Sequence, residues 1–170
     1  MKNWIPTNND LSYYPLLHKA ITETKGTIIE CGMGHGSTPN LYSECSDRVI
    51  SYETNQEWKD KFKANSFLIT DWIKVMEDNM NASVIFIDQA PGEIRKDCIK
   101  YLFNKGYKGI IVAHDTEPTG AGDYQMRQYF GLFKYKVEVQ TTGAWATALS
   151  NEVDLTSWVG LKYGDYVISN

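Results

Sequence analysis

Residues 27–38 read TIIECGMGHGST, and this stretch decides the fold. Thr27, Ile28 and Ile29 are β-branched, Glu30 and Cys31 follow, and Gly32, Gly34 and Gly36 then occupy every second position before Ser37 and Thr38. β-branched residues favour an extended strand, whereas alternate glycines let a backbone turn tightly and approach a ligand without side-chain clash. Ser37 or Thr38 can cap a helix whose first turn accommodates Pro39. Strand, glycine turn and helix N-terminus in that order form a corner suited to a nucleotide-type ligand.

The same alternation extends on both sides of this corner. A helix is expected over 11–24, stopped by Gly26, and the first strand over 27–31, with a helix over 37–45 after it. RVISYE (48–53) reads as a second strand, 56–64 as a helix, 66–70 as a third strand and 72–80 as an amphipathic helix. SVIFID (83–88) is a fourth strand, 92–104 a helix closed by Gly106, and GIIVAH (109–114) a fifth strand. Strands separated by helices of this length imply βαβ units, and their nearly continuous apolar character places them inside a parallel sheet.

The pattern changes after Asp115. A loop with Pro118, Gly120 and Gly122 leads to a helix near 124–129, and FKYKVEVQ (133–140) then alternates at period two. A Thr-Thr-Gly link joins it to WATALS (145–150), which makes a hairpin. The expected fold is α/β: a doubly wound, mostly parallel seven-stranded sheet with helices on both faces and a C-terminal antiparallel hairpin. One domain is expected over the 170 residues. The aromatic tail beyond 150 shows no clear period.

The chain carries a net charge of −4, with lysine and arginine scattered rather than gathered in a stripe. A nucleic-acid partner is therefore not expected. Three cysteines without C-x-x-C spacing suggest neither a disulfide framework nor a structural zinc, and fit a reducing, cytoplasmic setting. No apolar run approaches the roughly 20 residues needed to span a bilayer, so no membrane partner is expected.

In doubly wound sheets, ligands bind beyond the carboxyl ends of the strands, where strand order reverses. The glycines occupy the first such end, and Glu53 ends the second strand, where a carboxylate suits ribose hydroxyls. A dinucleotide site prefers G-x-G-x-x-G, but here the spacing is G-x-G-x-G, with Ser37 at the third dinucleotide position and Glu30 just before. Carboxylates repel a pyrophosphate and suit a cationic, phosphate-free ligand. A small NAD-dependent oxidoreductase remains the alternative.

On these residues the chain resembles the class I S-adenosylmethionine-dependent methyltransferases, over about residues 27–150. The family's acid-x-G-x-G-x-G motif is matched by Glu30, Gly32, Gly34 and Gly36, and its ribose-binding acid by Glu53. An acid after the third strand is matched by Asp71 with Trp72 beside it, and the closing hairpin by 133–150. The resemblance implies S-adenosylmethionine as cofactor. Glu30 would hold the amino group of its methionine part, and Gly32 and Gly34 would let the backbone pass against the cofactor. Glu53 would take the ribose hydroxyls, Asp71 the adenine amino group, and Trp72 would stack nearby. On pattern alone Trp72 equally fills a core. A non-catalytic S-adenosylmethionine-binding module is the other reading.

Two strand ends remain: Asp88 after SVIFI, and His114-Asp115 after GIIVA. IDQAPGE and AHDTEP resemble the catechol-type and cephalosporin-biosynthesis-type O-methyltransferases, in which acids at these ends hold magnesium. That implies Asp88 and Asp115 as ligands of Mg2+ or another divalent cation, with His114 or Glu117 filling in, and Asp88, His114 and Asp115 as the catalytic group. Pro91 stands where the catechol type has a lysine base, which leaves His114 as an alternative base. Strand-end aspartates also cap turns.

The fourth strand is followed by DQAPGE, not the Asn/Asp-Pro-Pro-Tyr of amino-methylating DNA enzymes. The expected acceptor is thus a hydroxyl of a small molecule or sugar. Its recognition would fall to Trp4, Tyr13 and Tyr14, the loop 116–124, and Trp158, Tyr163 and Tyr166 in the tail. Aromatics there line a pocket, bury a contact between two copies of the chain, or simply pack on the sheet. His18 is expected on a helix surface, and His35 beside the cofactor or in solvent.

Overall fold

β1 (Ile28–Cys31) lies inside the sheet and is buried along its whole length. Parallel neighbours flank it, β2 (Val49–Glu53) on one side and β4 (Val84–Ile87) on the other. β3 (Ser66–Leu68) continues the sheet beyond β2, and β5 (Ile110–His114) beyond β4, both parallel. β7 (Ala146–Ser150) then runs antiparallel to β5, and β6 (Tyr135–Val139) antiparallel to β7. The computed structural model describes residues 11–118 and 124–170. Trp4, Gly120 and Gly122 lie outside them.

The sheet is wider than the seven strands expected. Among the described residues it has nine, in the order β3-β2-β1-β4-β5-β7-β6-β9-β8. The additional pair, β8 (Lys162–Tyr163) and β9 (Tyr166–Ser169), comes from the tail that showed no period. Tyr163 pairs with Tyr166 across a two-residue turn in which Gly164 has φ 60°, a conformation glycine reaches without strain. Side chains anchor this return. Trp158 is fully buried and its indole N–H donates to Glu23 Oε2 at 2.7 Å, while Ile168 is buried beside β6.

Alternate residues of each central strand feed two separate cores, as the period of a strand requires. Ile28, Val84, Phe86, Ile110 and Val112 face α1 (Tyr14–Glu23) and α2 (Thr38–Cys45), joined there by Trp158 and Ile168. Ile29, Ile85, Ile87, Ile111 and Ala113 face α4 (Trp72–Asp78) and α5 (Arg95–Asn104), with the 3-10 segment Met126–Leu132. Helices therefore cover both faces, and strands buried on both sides have no polar phase. α3 (Gln56–Lys61), between β2 and β3, buries no residue.

Local chemistry sets the helix ends. The Arg48 guanidinium donates to the carbonyls of Ile21, Thr24 and Gly26, placing a cation at the carboxyl end of α1. Asn55 caps α3 and Asp71 caps α4, each through two backbone N–H groups. The helix expected over 92–104 opens instead as a 3-10 turn, Gly92–Ile94, before α5. Among the described residues no helix is long and apolar enough to cross a membrane.

Candidate functional site

All five parallel strands end at the same edge of the sheet. From β1 the chain winds outward to β2 and β3, then returns to β4 on the opposite side of β1. The crevice expected at such a reversal lies between the ends of β1 and β4. Gly32 there has φ 85°, and a side-chain carbon on it would fall 2.6 Å from Gln89 Cα and 2.7 Å from the Asp88 carbonyl oxygen. Only glycine meets both demands. The cleft opening beside it has a volume of about 450 Å³ and is lined by Gly32, Met33, Glu53, Thr54, Asn55, Trp58, Asp88, Ala90 and Pro91. A larger hollow of about 530 Å³ lies at the other end of the sheet, around Ser83 and Gly109, without any carboxylate.

Glu53 is held rigidly at the rim. Its Oε2 accepts the Met33 N–H at 2.9 Å, and its Oε1 accepts the N–H groups of Thr54 at 2.7 Å and Asn55 at 2.9 Å. A carboxylate has about four acceptor positions. Backbone donors fill three, and Oε2 keeps one for a ligand.

Glu30 faces the other way. It is fully buried, accepting the Thr38 hydroxyl at 2.9 Å and the Ser51 hydroxyl at 2.5 Å. Thr38 in turn accepts the Gly34 N–H at 3.0 Å, so the acid braces the glycine turn from beneath. Burial pushes its carboxyl pKa up to about 7, against the pull of the Ser37, Ser51 and Thr38 hydroxyls. Gly34 has room for a side chain, with only Ser37 Oγ at 3.5 Å, whereas one at Gly36 would strike the Tyr13 hydroxyl and Leu11. Asp71 is exposed and caps α4, and Trp72 is buried in the core with its indole N–H donating to the Ala90 carbonyl at 3.2 Å.

Of the cofactor-side residues expected from sequence, the cleft thus gathers Gly32 and Glu53. Glu30, Gly34, Gly36, Asp71 and Trp72 stand behind or beside it. Sequence reading missed Met33, Asn55 and Trp58. Trp58, the sole aromatic in the polar helix QEWKDK, was the available signal. Its ring lies 5.2 Å from that of the exposed His35, with Phe62 stacked beyond.

The ends of β4 and β5 meet around a cation that the sequence reading also missed. Arg95, at the start of α5, is 6 % exposed. Its Nη1 lies 2.8 Å from Asp115 Oδ2 and 3.2 Å from Asp88 Oδ1, and also donates to the His114 carbonyl at 3.3 Å. Its Nε donates to the Gln89 carbonyl at 2.8 Å and its Nη2 to the Asp88 carbonyl at 3.1 Å. The Tyr124 ring, 4.9 Å away, covers the guanidinium.

His114 Nδ1 sits 3.2 Å from Asp88 Oδ1 and 3.5 Å from Asp115 Oδ1. Burial works against a charged imidazole, but Asp88 and then Asp115 outweigh it and raise the pKa. Tyr13 lies edge-on to the ring at 4.8 Å, its own hydroxyl pushed far above the usual range by burial and then by the charges of Asp88 and Glu30. Asp88, His114 and Asp115 offer oxygen and nitrogen atoms within 4.8 Å of one another. Glu117 is not among them: it accepts the Trp145 N–H at 3.0 Å. Trp158 lies in the core, and His18 turns toward α2 and Glu44. The three cysteines are free and buried.

The strand order of β1 to β7 with its closing antiparallel hairpin is the fold of the class I S-adenosylmethionine-dependent methyltransferases. Among solved structures, the chain is similar to the O-methyltransferase from Bacillus cereus in complex with SAH, at 17 % identity over 85 % of this chain and 82 % of that one, with a TM-score of 0.59. It is also similar to the O-methyltransferase TomG from Streptomyces achromogenes, involved in tomaymycin synthesis and solved in complex with SAM (11 %, 86 % and 82 %, TM-score 0.58). A third is the cofactor-bound Rv0187 from MTB (16 %, 88 % and 84 %, TM-score 0.61). No family model matches the chain, and no curated protein matches it by sequence. At these identities the likeness is one of fold.

Proposed function

We propose that this chain is an S-adenosylmethionine-dependent methyltransferase that methylates a hydroxyl group of a small molecule or sugar. The observation that carries this reading is Glu53, a carboxylate pinned by three backbone N–H groups with one acceptor position open to the cleft. Cofactor-bound O-methyltransferases among the structural neighbours support the choice of ligand.

When bound, S-adenosylmethionine supplies a sulfonium-activated methyl group, so positioning and exclusion of water carry most of the catalysis. Glu53 would accept hydrogen bonds from the ribose hydroxyls, and Gly32 would let the backbone lie against the cofactor. Asp88 lines the same cleft and would take the proton that the acceptor's hydroxyl gives up. Arg95 and His114 hold Asp88 Oδ1 from two sides and fix its direction. In this geometry Glu30 supports the turn, Asp71 caps a helix and Trp72 packs the wall behind Ala90.

The test is ligand-induced stabilisation followed by turnover. S-adenosylmethionine or its demethylated product at about 100 times its Kd should add about 2.7 kcal/mol to stability, and NAD far less. Release of the demethylated cofactor against a library of hydroxyl-bearing metabolites then identifies the acceptor. Tighter binding of NAD would overturn the proposal in favour of an oxidoreductase. Binding without turnover on any acceptor would leave a non-catalytic module.

A further inference from the structure

We propose that Arg95 is the resident cation of this site and that the Asp88–Asp115 pair does not take up a divalent metal. The resemblance to metal-dependent O-methyltransferases implies an ion at these two strand ends. Three observations oppose it. One guanidinium nitrogen lies within 3.2 Å of a carboxylate oxygen from each acid, which puts a fixed positive charge where the ion's charge would have to go. Asp88 Oδ1 is already shared between Arg95 and His114. His114 Nδ1 stands between oxygens of both acids, an arrangement for an N–H donor and not for a lone pair aimed at a metal.

Arg95 is not free to swing aside. Carbonyls of Asp88, Gln89 and His114 also accept from it, and Tyr124 covers its face. A buried guanidinium pulled from such partners loses hydrogen bonds and solvation together. Asp88 therefore acts on the acceptor hydroxyl directly. Recognition does not require two adjacent hydroxyls to chelate an ion, and a lone hydroxyl suffices. This consequence for the acceptor rests on the methyltransferase reading, whereas the absence of metal binding does not.

The experiment is titration of the full-length chain with Mn2+, followed by electron paramagnetic resonance and calorimetry. Wild type is expected to bind no Mn2+ at up to millimolar concentration. One Mn2+ per chain, lost in Asp115→Asn, would overturn the proposal. Arg95→Met, checked for folding by circular dichroism, unmasks two neighbouring carboxylates and is expected to bind Mn2+ about tenfold more tightly than wild type, or better, because a like charge is removed. A folded Arg95→Met that stays free of Mn2+ would refute the role given to Arg95. The wild-type titration decides the metal question even where that variant does not fold. Once an acceptor is known, chelator should change turnover less than twofold. Absence of turnover with every acceptor counts against the methyltransferase reading and leaves the ion-binding result standing.

Discussion

Replacing Glu53 by alanine separates its two duties, because they fall on different measurements. The carboxylate supports the Met33, Thr54 and Asn55 N–H groups. Thr54 and Asn55 are exposed, so water replaces their acceptor at little cost. Met33 is buried, at 6 % exposure, and its N–H is left unsatisfied. An orphaned buried donor costs about 1–3 kcal/mol, which for a chain of this size lowers Tm by roughly 2–12 °C. The ribose hydrogen bonds are charge-assisted and contribute about 1.5–3 kcal/mol, so the Kd for the demethylated cofactor should rise about 10- to 150-fold. Calorimetry well below the lowered Tm reads the second effect free of the first. Glu53→Gln sharpens the test, since its amide nitrogen has no lone pair for either set of donors. Unchanged affinity in a folded Glu53→Ala would refute the ribose assignment, whatever the melting temperature did.

Other outcomes follow from the same geometry. Gly32→Ala should destabilise by about 1–3 kcal/mol from its backbone angle alone, and more from contact with Gln89, whereas Gly34→Ala should leave Tm unchanged within error. Asp71→Ala should lower stability by about 1 kcal/mol through loss of a helix cap and leave cofactor affinity unaltered; a tenfold loss of affinity would restore its adenine role. Glu30 gives a pH signature: its carboxyl rises from 4.5 to about 7 on folding, so the native state binds the proton more tightly and stability falls as pH climbs through that window. The fall amounts to about 3 kcal/mol, and Glu30→Gln should flatten the Tm–pH curve between those limits.

Much of this arrangement could be read from residue order. The strand, glycine turn and helix at 27–45 lie where their chemistry places them, and Asp88 and Asp115 meet because β4 and β5 are parallel neighbours. An acid before a glycine turn fits a ligand-holding motif, which is why Glu30 is expected at the ligand. Its phase carries a second signal: residue 30 shares the side of β1 occupied by Ile28, beneath α2, where the Thr38 hydroxyl donates to it. Arg95 could not be found this way. Its position depends on how residues 88–94 fold back over the strand ends, and no hydrophobic period encodes that path. The tail escaped because β8 has two residues and β9 four, too few for alternation to stand out.

α3 buries none of its residues, and β3 leaves Phe67 and Leu68 about half exposed, yet Asn55 and Trp58 belong to the cleft. The outer wall of the candidate site is therefore thinly protected, whereas α1 is fastened by Arg48 and Trp158. Native-state hydrogen exchange should show residues 54–68 opening as a separate unit, well below the free energy of global unfolding. Ligand contact at Asn55 and Trp58 would hold that unit shut, so slowed exchange there reports occupancy without any need to know the acceptor.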